Sequence, residues 1–360
     1  MNMKTYRKVG VCFLLFLSGI SMRAQTSLSA YSPGVTSEGA VYFLPKTAVR
    51  VTVQVEKTTY TPGEFGKYAD LYLRLKNVSL ESSVSYRITK IRQEAFAVAD
   101  TAKGYAVKFD PKTVAPRVAL SEDGVLLAIN ATPKALEQEP SFVQAPKEKT
   151  VNPRQYMNEE TLAAGSTAKM AELVARDIYD IRESRNLLVR GQADNMPKDG
   201  EQLKLMLNSL DQQNRSLTSL FAGIVEKDTV EQVMTYIPTE DTSRALLFRF
   251  SEKLGIIDND DLAGVPYYIY IEDLKTIPLA PAVEKKKIKQ VSGIYVNIPG
   301  KMRSTLSNSD GVILSNEFLA GQFGNTELLS GALFNKRYTT QLWLDPLSGA
   351  VERLDAEQPK

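Results

Sequence analysis

The sequence predicts an α+β fold in which two β-rich regions flank an antiparallel helical hairpin. Residues 49–55 alternate apolar and polar side chains, which is the period of a strand that buries one face. Residues 170–220 instead repeat apolar side chains at steps of three and four, which is the period of a helix. After residue 224, short apolar runs separated by turns return, so a second β-rich region is expected.

These patterns divide the 360-residue chain into five parts. The parts are a signal peptide (1–24), an N-terminal β-rich region (25–132), a linker (133–157), a helical hairpin (158–223) and a C-terminal β-rich region (224–360). The linker is recognised by its Pro, Glu and Lys residues and its lack of apolar periodicity. In the first β-rich region, a break at Thr61-Pro62-Gly63 separates the opening strand from a short helix predicted over residues 68–75.

Two narrow apolar stripes predict the helical hairpin. The first consists of Met170, Leu173, Val174, Ile178, Ile181 and Leu188, and the second of Leu203, Met206, Leu210, Gln213, Leu217 and Leu220. Because each stripe is narrow, each helix mainly needs the other as its packing partner. The expected contacts join Ile178 and Ile181 to Leu210 and Leu217. Asp199, with Gln202 three residues later, predicts the N-cap of the second helix.

The first 24 residues have the layout of a secretory signal peptide. Basic residues precede an apolar run over 9–17, and cleavage is expected after Ala24. The run is about half of the ~18–20 residues that span a bilayer, so the mature protein is not expected to cross a membrane. Cys12, the only cysteine, lies inside the run rather than at the cleavage point, so neither a lipid anchor nor a disulfide is expected.

Composition excludes several classes of activity. The chain has no histidine, which rules out a Ser-His-Asp triad, a Cys-His pair and an HExxH zinc site. Four of the 44 basic residues and none of the 42 acidic ones lie in the signal peptide, so the mature chain has 40 basic residues against 42 acidic ones. This balance predicts no nucleic-acid partner. No catalytic, cofactor or metal residue is assigned.

Two motifs nevertheless resemble functional sites. Ser166 and Lys169 match the S-x-x-K pattern of serine β-lactamases, but the chain has no K-T-G strand, so we interpret Ser166 as a helix opening. Residues 258–261 (DNDD) offer oxygen ligands for calcium but lack the glycine and the terminal glutamate of an EF-hand. We interpret them as a turn. The tyrosines near residues 60–72 and 267–270 suit either a binding surface or a β core.

Four stretches, residues 42–73, 177–191, 247–256 and 342–354, resemble an uncharacterised exported family of Bacteroidota that is known as a domain of unknown function. The resemblance covers most of the mature chain. It implies export but no activity, so it transfers no catalytic residue. In that phylum, a short D-[S/T]-[small or apolar] pattern accepts periplasmic O-glycans. Asp100-Thr101-Ala102 and Asp228-Thr229-Val230 are similar to it, which makes Thr101 and Thr229 possible glycosylation sites.

The function we expect from the sequence is a non-catalytic binding or assembly component of the cell envelope. It would reside in the periplasm or at the outer membrane and bind an envelope protein or a glycan, without a cofactor. A carbohydrate-active enzyme that uses carboxylates is the alternative, since such an enzyme needs no histidine. A serine-lysine hydrolase is the third possibility.

Overall fold

A computed structural model describes residues 35–36, 39–107, 117–135, 142–144, 151–197, 199–239, 242–278, 293–334 and 339–357. The predicted signal peptide lies outside the described residues. The strands are β1 (Val35–Thr36), β2 (Gly39–Thr61), β3 (Ser83–Val107), β4 (Val118–Leu120), β5 (Leu126–Ile129), β6 (Ile224–Tyr236), β7 (Thr242–Ser251), β8 (Gly255–Ile257), β9 (Val265–Asp273), β10 (Gly293–Asn308), β11 (Gly311–Ser330), β12 (Thr339–Leu344) and β13 (Val351–Glu357). The α-helices are α1 (Ala69–Leu73), α2 (Glu159–Leu162), α3 (Thr167–Arg190) and α4 (Gly200–Ala222).

The strands form three antiparallel sheets, which confirms the α+β class. Sheet A consists of β1, β2, β3 and β6, with β3 and β6 paired to opposite edges of β2. Sheet B has the order β13-β12-β5-β4, and sheet C has the order β11-β10-β9-β7-β8. Sheets A and B each combine strands from both β-rich regions of the sequence. The two regions are therefore interleaved through strand pairing instead of lying side by side.

Strand β2 connects three separate apolar cores. Near its start, Tyr42 and Leu44 pack against sheet B and the start of β10. The alternating valines at 49–55 are buried on one face, as the sequence predicts, and pack against sheet C in the core between sheets A and C. Just beyond its end, Gly63 lies against α4, which contributes to the third core, the helical core. An added Cβ on Gly63 would lie 2.2 Å from the carbonyl oxygen of Leu220. One strand thus positions all three cores relative to each other.

The helical hairpin is confirmed in part. Arg182 Nε contacts Asn214 Oδ1 at 3.1 Å and Arg185 Nε contacts Asp211 Oδ1 at 2.6 Å. These contacts show that α3 and α4 run in opposite directions, because the residue number rises along α3 as it falls along α4. The buried part of the seam lies at one end, where Ile178 and Leu217 share a core with α1.

The second predicted stripe is displaced at its distal end. Leu210 is only half-buried, and Met206 is 42% exposed. Phe221, which the stripe omitted, is completely buried beside Phe65 of the β2–β3 connection. The end of the hairpin that carries Phe221 therefore packs on the β2–β3 connection as well as on the other helix. This additional packing partner shifts the buried face of α4.

The last residues of the predicted linker pack against the helices. A short 3-10 helix, Pro153–Tyr156, contacts α4, and Met157 is buried in the helical core. Arg154 Nη2 also donates hydrogen bonds to both carboxylate oxygens of Glu64, at 3.0 and 3.1 Å. None of the helices in the described ranges is long and apolar enough to cross a membrane.

Candidate functional site

The only tryptophan of the protein lies on the polar face of sheet B. In β12, Leu342 and Leu344 are buried in the core, whereas Gln341 and Trp343 occupy the alternate positions and are half-buried. A strand directs successive side chains to opposite faces, so Trp343 lies on the face directed away from that core. A large aromatic ring in this position is not explained by packing of the core.

A cavity of about 310 Å³ opens beside the Trp343 ring. It is lined by Arg117, Asn130, Ala131, Thr132, Gln341 and Trp343. We call these six residues the sheet B pocket. The pocket combines an indole ring with polar side chains that donate and accept hydrogen bonds, and none of its six described lining residues carries a carboxylate.

Asn130 builds the wall of the sheet B pocket. Its backbone has φ of +53°, a left-handed conformation that asparagine tolerates better than most residues, and it ends β5 there. Its Oδ1 accepts a hydrogen bond from Arg117 N at 2.9 Å, and its Nδ2 donates one to Thr340 O at 3.0 Å. Because both ends of the amide are bonded to backbone, the two sides of the pocket are held at a fixed separation.

The indole ring is fixed at one edge. Trp343 Nε1 donates a hydrogen bond to Thr132 O at 3.1 Å. The guanidinium carbon of Arg353, on the neighbouring strand β13, lies 5.1 Å from the ring centroid. Arg353 is also ion-paired with Asp355 at 2.6 Å. The ring is thus oriented by its neighbours, which is what a preformed ligand surface requires.

Three polar side chains of the pocket have no partner in the described part of the molecule. These are the guanidinium of Arg117, the amide of Gln341 and the hydroxyl of Thr132. By contrast, the amide of Asn130 is bonded to backbone through both its oxygen and its nitrogen. The unpartnered groups offer several donors and acceptors next to an apolar ring, an arrangement that suits a ligand with both an apolar face and many hydroxyl groups.

A second cavity, of about 180 Å³, lies where sheets A and C separate. Its lining is Val55, Lys57, Tyr86, Val230, Gln232, Leu254, Gly255 and Ile256. Tyr86 N donates a hydrogen bond to Glu252 O at 2.7 Å, which holds the β7–β8 turn against β3. This cavity is mostly apolar, so it suits a protein side chain better than a polar ligand.

Thr101 lies on a protruding segment of β3. Phe43 pairs with Gly104 and Pro45 with Ala99, so residues 100–103 stand opposite Leu44 alone. Asp100 Oδ1 accepts a hydrogen bond from Ala102 N at 3.1 Å, which fixes this bulge, and Thr101 is exposed.

Thr229, the other proposed glycosylation site, has a different setting. It lies in the middle of β6, where it is paired with Glu56 and half-buried. The structure does not bring the two threonines together, because Leu44 and Glu56 lie near opposite ends of β2.

The S-x-x-K motif has the geometry of a helix opening. Ser166 Oγ accepts a hydrogen bond from Lys169 N at 3.2 Å and so caps α3. Lys169 Nζ lies 3.0 Å from Glu172 Oε1 and forms an ion pair with it. The lysine is thus engaged with a carboxylate, and the serine side chain is engaged with the backbone of its own helix.

The acidic run at 258–261 forms a turn between β8 and β9. Asp261 N donates to Asp258 O at 3.0 Å, and Asp261 Oδ1 accepts from Ala263 N at 2.9 Å. Across the described ranges, no group of three or more acidic residues is arranged to hold a metal ion.

Sequence reasoning missed the sheet B pocket. The available signal was Trp343 itself, a lone tryptophan placed between Leu342 and Leu344, whose burial leaves Trp343 on the other face of the strand. Arg117 gave no comparable signal, because only the pairing of β4 with β5 and of β5 with β12 brings it beside the tryptophan.

The family described as Domain of unknown function (DUF4831) matches residues 38–352. The match spans most of the sequence, and the chain belongs to this family. This confirms the resemblance to a domain of unknown function, whereas export and the bacterial phylum stay predictions. Neither a curated protein nor a solved structure matches the chain.

Proposed function

We propose that this protein is a non-catalytic, saccharide-binding component of the bacterial cell envelope and that the sheet B pocket holds the sugar. The observation that carries the proposal is Trp343, an oriented indole beside the unpartnered side chains of Gln341, Thr132 and Arg117. A pyranose ring has an apolar C–H face and a rim of hydroxyl groups. The indole complements the first, and the polar side chains complement the second.

The lining of the pocket favours binding over hydrolysis. Glycoside hydrolysis commonly uses two carboxyl groups roughly 5 to 10 Å apart on either side of the scissile bond. None of the six lining residues carries a carboxylate. Asp355 lies on the same face, directly opposite Gln341, but it is ion-paired with Arg353.

Fluorescence offers a direct test, because the chain has one tryptophan and that residue lines the pocket. The mature protein is titrated with a panel of soluble oligosaccharides, including peptidoglycan fragments and lipopolysaccharide core sugars, while Trp343 emission is recorded. Calorimetry supplies the affinity independently. We expect saturable changes in emission that Gln341→Ala weakens and that Asn195→Ala, in the exposed α3–α4 loop, leaves intact. If no member of the panel binds by either method, the proposal is wrong.

The proposed location rests on the signal peptide expected from the sequence. After cleavage behind Ala24, the mature protein would begin at Gln25 and reside in the periplasm or at the outer membrane. Mass analysis of the N-terminus from the native envelope fraction checks this. A protein that retains residues 4–17 would contradict the cleavage.

A protein partner is the second candidate, and the surface of β6 favours it. This strand pairs with β2 and with no other strand in the described ranges. Val225, Val230 and Val233 on it are 58%, 55% and 52% exposed. An extended segment of a partner could add to this edge and place an apolar side chain in the adjacent 180 Å³ cavity. Val230→Lys should then abolish an envelope partner's co-purification, while Gln341→Ala should preserve it.

A further inference from the structure

The guanidinium of Arg117 stands out among the arginines of the described ranges. Those at 74, 117 and 190 make no hydrogen bond, ion pair or ring contact through their guanidinium groups. Of these three, Arg117 is the one that lines the sheet B pocket. Arginines elsewhere on the surface are mostly engaged, as Arg154 is with Glu64 and Arg303 is with Glu272 and Glu317.

Two described cations that neighbour lining residues are ion-paired: Arg353, which pairs with Trp343 across the strands, and Lys134, two positions after Thr132. Arg353 is paired with Asp355 at 2.6 Å, and Lys134 is paired with Glu352 at 3.1 Å. Within the described ranges Arg117 has no acidic partner, so it contributes to the pocket a positive charge that no described carboxylate compensates. This charge attracts an anion, and it does so most strongly over distances shorter than the Debye length of roughly 8–10 Å at physiological ionic strength.

The backbone of Arg117 is held in place, although its side chain has no partner among the described residues. Arg117 N donates to Asn130 Oδ1 at 2.9 Å, and Arg117 O accepts from Asn130 N at 2.7 Å. Both contacts belong to the wall of the pocket. The base of the side chain is therefore fixed at the pocket, while its exposed guanidinium is available to a ligand.

We infer that the saccharide bound in the sheet B pocket is acidic and that its anionic substituent binds the guanidinium of Arg117. This inference rests on the proposed function. A guanidinium presents parallel N–H donors that match the two oxygens of a carboxylate or of a phosphate, so either substituent supplies the required chemistry. Gln341, Thr132 and Trp343 then contact the remainder of the sugar, as they would for a neutral ligand.

The test compares sugars that differ only in charge. Trp343 emission and calorimetry are recorded with a glucuronate-containing oligosaccharide, its carboxyl-reduced neutral counterpart and a matched sugar phosphate. We expect the acidic sugars to bind at least about tenfold more tightly than the neutral one, since a charge-assisted hydrogen bond contributes about 1.5 kcal/mol or more. The two acidic arms distinguish a carboxylate from a phosphate. Raising the ionic strength should reduce the preference.

Variants separate the two proposals. Arg117→Gln should reduce the affinity for acidic sugars to that for the neutral sugar without changing the midpoint of thermal unfolding. Arg190→Gln, which changes an exposed arginine at the end of α3, is the matched control and should leave both affinities unchanged. Equal binding of acidic and neutral sugars that is insensitive to Arg117→Gln would overturn this inference and leave the proposed function standing. Failure of every sugar to bind would overturn both.

Discussion

The side-chain amide of Asn297 donates a hydrogen bond to the carbonyl oxygen of Pro45, which lies 252 positions earlier in the chain, at 2.9 Å. The same nitrogen donates to the carbonyl oxygen of Ser348 at 2.8 Å. Asn297 is 2% exposed. It therefore joins β10 of sheet C to β2 of sheet A and to the turn that leads into β13 of sheet B. Gly321 permits this arrangement, because an added Cβ would lie 2.4 Å from the amide nitrogen.

Asn297→Ala should destabilise the protein more than the removal of a few side-chain atoms would by itself. The substitution removes both hydrogen bonds and leaves the carbonyl groups of Pro45 and Ser348 without this donor, so we expect a loss of about 2–3 kcal/mol in the free energy of unfolding. Urea unfolding followed by circular dichroism measures the change. The control is Asn195→Ala, since Asn195 is exposed in the α3–α4 loop. Equal stabilities of the two variants would show that the junction contributes nothing.

The local structure near this junction could be predicted from the sequence, but the junction itself could not. The alternation at 49–55 predicts β2, and Ser166 and Asp199 are found as the caps of α3 and α4, because these patterns depend on neighbours in the chain. The pairing of β6 with β2 and of β12 with β5 depends on contacts between distant residues, which alternation alone does not specify. The interleaving of the two β-rich regions was missed for this reason.

The same limit applies to the candidate site. Trp343 could have been found from its place between two apolar residues of one strand, whereas Arg117 and Thr132 reach the pocket only through the pairings of β5. The helices show an intermediate case. Their periodicity was correct, but the burial of Phe221 depends on Phe65 in the β2–β3 connection, a neighbour that helical periodicity cannot reveal.

A pair of leucine substitutions in α4 tests where the helical core lies. Leu217 is fully buried in that core, whereas Leu210 is half-buried on the distal part of the helix. Leu217→Asp places an unpaired carboxylate among apolar side chains and should cost about 4 kcal/mol or more, while Leu210→Asp should cost about 1–2 kcal/mol. Helical circular dichroism during urea unfolding measures both losses.

Trp343 emission reports on sheet B in the same experiment. Because the helical core is separate from the core beneath sheet B, Leu217→Asp should lower the midpoint of the helical signal more than that of the emission. Coincident midpoints would mean that the helices and sheet B unfold as one unit. A larger loss for Leu210→Asp than for Leu217→Asp would contradict the packing described for α4.

Tyr42 should make the protein sensitive to alkaline pH. Its hydroxyl donates to Tyr295 O at 3.1 Å and accepts from Tyr295 N at 2.8 Å, and burial raises its pKa well above the usual tyrosine range. Below about pH 10 the folded and unfolded states both keep the proton. Above that pH the unfolded chain ionises first, so the free energy of unfolding should fall as the pH rises.

Tyr42→Phe removes this proton and should flatten the alkaline dependence of stability, although it costs about 1–3 kcal/mol at neutral pH through the lost hydrogen bonds. Thermal unfolding measured from pH 8 to pH 11 gives the slopes. Tyr270→Phe changes a tyrosine that is 39% exposed and serves as the control, with a slope like that of the unmodified protein. A steep alkaline slope that persists in Tyr42→Phe would assign the dependence to other groups.

Thr101 and Thr229 are both expected to carry a glycan in the native host, with the higher occupancy at Thr101. A transferase must reach the hydroxyl, and Thr101 is exposed on the bulge of residues 100–103, whereas Thr229 is half-buried in the middle of β6. Peptide mapping of the protein purified from its native envelope measures both occupancies. Thr101→Val should remove the glycan at that position without loss of stability, because Thr101 is exposed and its side chain has no hydrogen-bond partner in the described ranges. Two unmodified threonines would show that the acceptor pattern is coincidental, and a higher occupancy at Thr229 would mean that modification precedes the pairing of β6 with β2.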